Sequence, residues 1–573
     1  MASTGLPEGR YKDPSVLEKH RELFSAKNLL TPLEAPLPPG VTRDELNIAI
    51  QKFVALLGSD GVFIGDALVD YVDPYELWEK EGRRKVPSAA VCPRSVEQVQ
   101  GVIKIAREFK IPLWTFSRGK NLGYGGPAPR VNGSVSLDLH RMDKVIEVNE
   151  KYAYAVVEPG VTFFDLYNHI AKNELKVWPS VATLGWGSVL GNTLDRGIGF
   201  IPTSNHHQHI TGLEVVLGTG EALRTGQWAM DFSPLAHTSK YSFGPSLEGL
   251  FIQSNLAVVT KLSIGLVPQP QAYYSCVIDM PELEDLGTIV EMVGPMRTNG
   301  TLGTSSVYIN NVLELTAPII NREKVWGKKE PMPESLIKKI QKDYDIGYWN
   351  AQFGLYGPKL IVQAQFEEVK RIVHKKAPTA RIRGQLFEGE TEGELVNALK
   401  VPFQQGGIFC GVPGMDILPM VKYRLLENVP GIAAHCDYSA FLPTDGKSVT
   451  EWVTAARDIH AREGWDFFCN VNIHERHALA VHLMAYDKSD ADQRKAVDRV
   501  WFGLYDEANK RRLGSYRCHV NHMEPLSNMY DFNNHAYRRF VETIKDAVDP
   551  DGVLSPGKMG IWPKRLRAEK EKL

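Results

Sequence analysis

Phe116-Ser117-Arg118-Gly119-Lys120-Asn121-Leu122-Gly123-Tyr124-Gly125-Gly126 follows directly on an apolar segment, Ile111–Thr115, that reads as a strand. Upstream, Ser88–Cys92 is a second short apolar strand. Pro93-Arg94-Ser95 caps a helix over Val96–Phe109, with apolar positions Val99, Val102, Ile103 and Ile105 at helical spacing. Strand, helix, strand predicts a βαβ unit that delivers the glycine run at a strand end. Small residues let successive backbone N–H groups turn toward one anion. Ser117 and Asn121 add side-chain donors. No GKS or GKT follows, so the run is not a P-loop, and it does not fit GxGxxG ahead of a helix. Taken alone, a structural turn is the plainer reading.

A second run has the same character: Leu184-Gly185-Trp186-Gly187-Ser188-Val189-Leu190-Gly191-Asn192-Thr193-Leu194-Asp195-Arg196-Gly197. Glycines stand at close-approach positions beside Ser188, Asn192 and Asp195. Read together, the two loops suggest one long, phosphate-bearing ligand held from both sides; the alternative is two unrelated loops.

Working outward, Glu45–Leu57 has helical spacing. Ser134–Leu139 and Tyr154–Glu158 read as strands, Asp165–Lys172 as a helix, and Thr211–Leu217 with Ala222–Thr225 as a hairpin. At Pro268–Gln271 the texture changes to strands and amphipathic helices without comparable glycine clusters. A Gly/Pro-rich stretch returns at Asp549–Lys558. The expected architecture is α+β: an N-terminal domain, a middle domain of roughly 240 residues, and a C-terminal segment that goes back to the first. Residues 1–42 read as a Pro-rich surface arm.

The chain has 573 residues, 43% hydrophobic and 23% charged, with 66 Lys+Arg against 68 Asp+Glu and a formal charge of −2. That is ordinary globular composition. It gives no electrostatic reason to expect nucleic acid or an anionic membrane as partner. The first twenty residues lack the apolar run of a secretory signal, and no stretch approaches 18 consecutive apolar residues. Cys92, Cys276, Cys410, Cys436, Cys469 and Cys518 are far apart. They predict reduced thiols in an intracellular, cytoplasmic protein rather than a disulfide framework or zinc site. The terminal Glu571-Lys572-Leu573 is only a weak match to a peroxisomal address.

The order of motifs resembles the vanillyl-alcohol oxidase/para-cresol methylhydroxylase family of flavoproteins, and most of all its vanillyl-alcohol oxidase branch. The motifs are PRSVEQVQGVIKIAREFKIPLW, RGKNLGYGG, VVEPGVTFFDLYNHI, LGWGSVLGNTLDRGIG, YSFGPSLEGLFIQSNLAVVTK and DPDGVLSPGKMGIWP. They run from about Pro87 to Pro563 and are weakest between 300 and 410. The resemblance implies a two-domain flavoprotein. An FAD-binding domain is formed by 43–270 and 515–573, and a cap over the substrate by 271–514. It implies FAD contacts from Ser117, Arg118, Gly119, Lys120, Asn121, Leu122, Gly123 and Tyr124 in the first loop. Leu184, Gly187, Ser188, Gly191, Asn192, Asp195 and Gly197 supply the second, with Gly249, Val259, Arg517 and Lys558 beyond. Tyr124, Tyr516 and Arg517 would hold a substrate phenol as phenolate: arginine stays charged and tyrosine hydroxyls donate to an oxyanion. His435 would carry a covalent bond to the flavin.

Three positions depart from the family pattern. Tyr75 stands where a histidine activates the flavin-linking one. Thr183 stands where the oxidase branch has an aspartate; threonine hydrogen-bonds but is no base near neutral pH, and the cresol branch has serine there. Asp437 stands where a pocket aromatic is expected. It is a relocated base, a contact to a polar substrate, or simply a surface residue. His474 and His477, and the cluster His206, His207 and His209, read as structural, with one of the cluster at the flavin or pocket rim, and no metal is expected. The leading expectation is an FAD oxidase of small phenols or aromatic alcohols, with dioxygen as acceptor, assembled as a homodimer or larger oligomer. A different alcohol, sugar or lactone substrate, a dehydrogenase, and a silent flavin-binding protein remain as alternatives.

Overall fold

A computed structural model describes residues 33–77, 84–391, 393–402, 404–425, 431–474 and 476–570. The expected arm is therefore described only from residue 33, and the terminal tripeptide lies outside the described residues.

Side-chain caps fix where the N-terminal helices begin. Thr42 and Glu45 form a reciprocal capping box, so the helix runs Arg43–Leu57, two residues longer at its start than the apolar spacing alone suggests. Thr162 and Asp165 do the same for Phe163–Lys172, with Asp165 in the first turn rather than at the first position. Ser95 accepts from the Gln98 N–H at the head of Val96–Glu108.

The strand–helix–strand unit differs from expectation in one respect. Ala89–Val91 and Leu113–Phe116 do not pair with each other. Val135–Asp138 lies between them, parallel to both. Local pattern cannot reveal this, because the inserted strand comes from downstream of the glycine loop. A second sheet of five antiparallel strands, Val145–Asn149, Tyr154–Val157, Ala257–Gly265, Ile210–Leu217 and Ala222–Arg224, completes the N-terminal half. Between these lie the two glycine loops.

Residues 272–487 form a seven-stranded antiparallel sheet. Its spatial order is Arg381–Glu388, Ala272–Met280, Trp349–Gly357, Val307–Asn311, Asn470–Ile473, His477–Asp487, Ala433–Pro443. Helices Lys359–Lys376, Gly446–Arg462 and Ala491–Lys510 pack on one face. Alternation along Ala433–Pro443 sends Cys436 and Tyr438 to that helix side, where the Tyr438 ring meets Trp501 at 5.4 Å. The same alternation sends His435, Asp437 and Ser439 to the opposite face, over the first glycine loop. The molecule is thus an α+β fold of two domains. Among the described residues, no helix is long and apolar enough to cross a membrane.

The chain end returns to the first sheet. Leu113 N–H donates to Val553 O at 2.7 Å, Ser555 N–H donates to Leu113 O at 2.7 Å, and Leu554 bridges Leu113 in parallel. Lys545, fully buried, locks this return. Its ammonium pairs with Asp549 at 2.8 Å and donates to Asn255 O at 2.6 Å and Leu554 O at 2.7 Å. Burial lowers its pKa, and Asp549 offsets only part of that. Lys545→Ala leaves a buried carboxylate and two carbonyls without that donor, an expected loss of about 3–5 kcal/mol. The thermal unfolding midpoint should fall clearly below wild type; an unchanged midpoint would count against the lock.

Candidate functional site

The two glycine loops are fastened to each other. A Cβ at Gly191 would overlap Ser117 Oγ, so the glycine lets the Ser117 side chain pack directly on the second loop. Asn121 donates to the Asp195 carboxylate at 2.9 Å, and Lys120 Nζ lies 5.8 Å from the Trp186 ring centre. Gly119 and Gly123 have φ of 63° and 78°, the left-handed region that favours glycine. Ser188 caps the short helix Val189–Leu194 and donates to Pro159 O at 2.6 Å.

Between the loops and the C-terminal return runs a groove lined by Ser117, Gly191, Asp195, Asn255, Val259 and Lys558. Five of these were expected from sequence. Asn255 was not. Its Nδ2 donates to Ser555 O at 2.9 Å and Ile561 O at 3.0 Å, while its Oδ1 is buried without a partner. An unpartnered acceptor in a groove that also carries Ser117 and Lys558 fits a ligand that brings N–H donors as well as phosphates. Lys558 has its pKa lowered by burial and partly restored by Asp195.

Several expected contacts are spoken for within the protein. Arg118 is buried and donates to Gly160 O at 3.3 Å, which turns its side chain into the domain. The Asn192 carboxamide packs on Gly197 and bonds to His206 Nδ1 at 2.7 Å. His206 Nε2 meets Ser180 Oγ at 2.9 Å, and burial drops its pKa to about 3. That histidine therefore braces the second loop as a neutral ring. Gly187 leaves room for a Cβ at ordinary contact, and Gly249 is exposed with open space around it, so neither position requires a glycine. Leu122 is buried and Leu184 half-buried against the cap core. His474, also neutral with its pKa near 3 from burial, bonds to Ser306 Oγ at 2.9 Å.

At one end of the groove three side chains converge. The Arg517 guanidinium lies 4.8 Å from the Tyr516 ring centre and 5.6 Å from that of Tyr124. Its Nε donates to Asp195 O at 2.7 Å and lies 3.3 Å from the carboxylate. Its Nη2 is buried and has no partner. Burial opposes the charge, but Tyr516, Asp195, Tyr124 and Asp437 together raise the pKa. Burial pushes Tyr516 up to about 12 and Tyr124 well above the usual range, so both stay hydrogen-bond donors. A fixed cation with an unpartnered N–H beside two tyrosine rings has the chemistry to hold an oxyanion.

Asp437 is 5% exposed and belongs to this site, which overturns its reading as a surface residue. It stands 3.3 Å from His435 Nδ1. A Cβ at Gly123 would lie 2.5–2.6 Å from the His435 ring and 3.0 Å from Asp437, so the glycine makes room for the pair. Tyr75 is 1% exposed, its ring edge-on to His435 at 5.1 Å and its hydroxyl without a partner. Burial, then Asp73 and Asp437, hold that phenol well above its ordinary pKa, so it is no base. Thr183 is half-buried at the head of the second loop.

Two cap residues escaped the sequence reading. Tyr308 donates to Gly199 O and stacks on Phe200 at 4.2 Å. Glu314 has a buried, unpartnered Oε2, and burial, with the Asp437 charge, pushes its pKa to about 8. Both come from the stretch whose pattern is weakest.

Known proteins resemble this chain over most of its length. A family model described as an FAD binding domain matches residues 87–226. The 4-cresol dehydrogenase [hydroxylating] flavoprotein subunit of Pseudomonas putida is 33% identical over 531 residues, 92% of this chain and 98% of that one. A 4-ethylphenol oxidase from Gulosibacter chungangensis, solved with isoeugenol, superposes with a TM-score of 0.86 at 32% identity, covering 93% of this chain and all of the other. A p-cresol methylhydroxylase solved with substrate gives 0.84 at 32% identity, covering 92% and 99%. With that breadth of match, the chain belongs to the vanillyl-alcohol oxidase/para-cresol methylhydroxylase family of FAD-dependent oxidoreductases.

Proposed function

We propose that this FAD enzyme oxidises a small para-substituted phenol or aromatic alcohol and passes the electrons to dioxygen, giving hydrogen peroxide. The observation that carries the reading is the Arg517 Nη2, buried and unpartnered between Tyr124 and Tyr516. The phenols named for the relatives support it. Bound FAD supplies the hydride acceptor, flavin N5. Arg517 and the two tyrosines would bind the substrate as phenolate, and the extra electron density would favour hydride loss from the para benzylic carbon. The cap face carrying Asp437, Tyr308 and Glu314 closes over the substrate and excludes water. The FAD-binding domain is taken as 43–270 with 515–573, the cap as 271–514, and the assembly as a homodimer or larger. His435 is the proposed covalent anchor of the flavin.

The reading is tested anaerobically. A 4-alkylphenol should bleach the flavin of the purified holoprotein within a turnover time. A flavin that stays yellow would refute a phenol oxidoreductase. Rapid mixing of the reduced enzyme with dioxygen should restore the colour. Slow reoxidation that an artificial carrier accelerates would favour a dehydrogenase, as the cresol relative is named.

A further inference from the structure

Asp437 has a chemistry that the phenol cage does not use. Its carboxylate faces His435 Nδ1 at 3.3 Å through either oxygen. Both side chains are largely buried on the same face of the strand Ala433–Pro443, two residues apart, so the strand's own alternation holds them together. The first loop yields space to them at Gly123, which has no side chain and a φ of 78°. The neighbour on the other side, Tyr75, is a neutral phenol that donates and accepts nothing. The carboxylate within hydrogen-bond distance of the imidazole is therefore that of Asp437.

We propose that Asp437 is the positioning residue that makes His435 competent for covalent attachment of the flavin; this rests on the proposed covalent anchor. With Nδ1–H donated to the carboxylate, the tautomer is fixed and the lone pair is on Nε2. The nucleophile is thus set without a second histidine. In the attachment step the flavin 8-methyl group gives up a proton and the Nε2 lone pair forms the new N–C bond. The ring system is left reduced by two electrons. Nδ1 keeps its proton meanwhile, so the imidazole becomes a cation, and the adjacent carboxylate stabilises it. Dioxygen takes the two electrons and, with the methyl proton and the Nδ1 proton, leaves as hydrogen peroxide. The net change is one C–H and one N–H exchanged for one C–N bond.

The test reads flavin attachment rather than turnover. Apoprotein is reconstituted with FAD in air, sampled over time and precipitated with acid. The pellet is scored for yellow colour and fluorescence, and the flavin peptide is located by mass spectrometry. Wild type should give a coloured pellet with the mass on the peptide containing His435. Asp437→Asn keeps an acceptor for Nδ1–H but loses the charge, and should attach flavin roughly tenfold more slowly. Asp437→Ala loses both and should attach it at least about a hundredfold more slowly. Both variants should still hold FAD without the bond, seen as flavin that travels with native protein through gel filtration and leaves on acid treatment. Attachment at the wild-type rate in Asp437→Ala would overturn the role of Asp437 while leaving the anchor intact. A colourless wild-type pellet would overturn the anchor itself, and the role of Asp437 with it.

Discussion

Arg517→Ala should lower kcat/KM for a 4-alkylphenol by about 10²–10³-fold, the usual consequence of removing one preorganised donor from an oxyanion site. Arg517 is the cation that contacts both tyrosine rings, and its Nη2 is the buried donor with no partner inside the protein. Arg517→Lys should recover little. The guanidinium holds the Asp195 carbonyl through Nε at 2.7 Å while presenting Nη2 elsewhere, and a single ammonium cannot do both. Tyr516→Phe removes one hydrogen bond to a charged group, worth about 1.5–3 kcal/mol, or roughly 10–100-fold. Steady-state kinetics on variants matched for flavin content reads all three. An Arg517→Ala enzyme with wild-type kcat/KM would remove the basis for a phenolate site.

Thr183→Asp should move activity the other way. Threonine at the head of the second loop can orient a hydroxyl but cannot accept a proton near neutral pH. An aspartate there would add a general base at the head of that loop, for a gain of about 10²–10⁴-fold on a 4-hydroxybenzylic alcohol. Thr183 is half-buried rather than sealed in, so a carboxylate at that place retains some solvation and stays ionised. The assay is alcohol oxidation by wild type and variant at equal flavin content. Unchanged rates in a variant that still binds flavin would show that the missing acid is not what limits the site.

Much of the cofactor groove could be read from residues alone, for a physical reason. Close packing that leaves no room for a Cβ, as where Gly191 meets the Ser117 side chain, favours glycine and leaves a compositional trace. Caps such as Thr42 with Glu45 leave a local trace as well. Other features leave none. Along Ala433–Ala440 both faces of the strand are buried, so no polar–apolar alternation marks Asp437 as inward. Whether Asn192 reaches a ligand is decided by His206, fourteen residues on in the chain and bonded at 2.7 Å. Tyr308 and Glu314 join the site through the pairing of Val307–Asn311 within the cap sheet. The insertion of Val135–Asp138 between two strands that are sequence neighbours is likewise a matter of long-range pairing.

The phenolate cage can be observed directly with a phenol whose absorption changes on ionisation, such as 4-hydroxybenzaldehyde. It is bound to the oxidised holoprotein at a pH well below the pKa of the free phenol and read by difference spectroscopy. Tyr124, Tyr516 and Arg517 as arranged here should give the spectrum of the phenolate, and Arg517→Ala should abolish it. A wild-type complex showing the spectrum of the neutral phenol would contradict an oxyanion site between these residues.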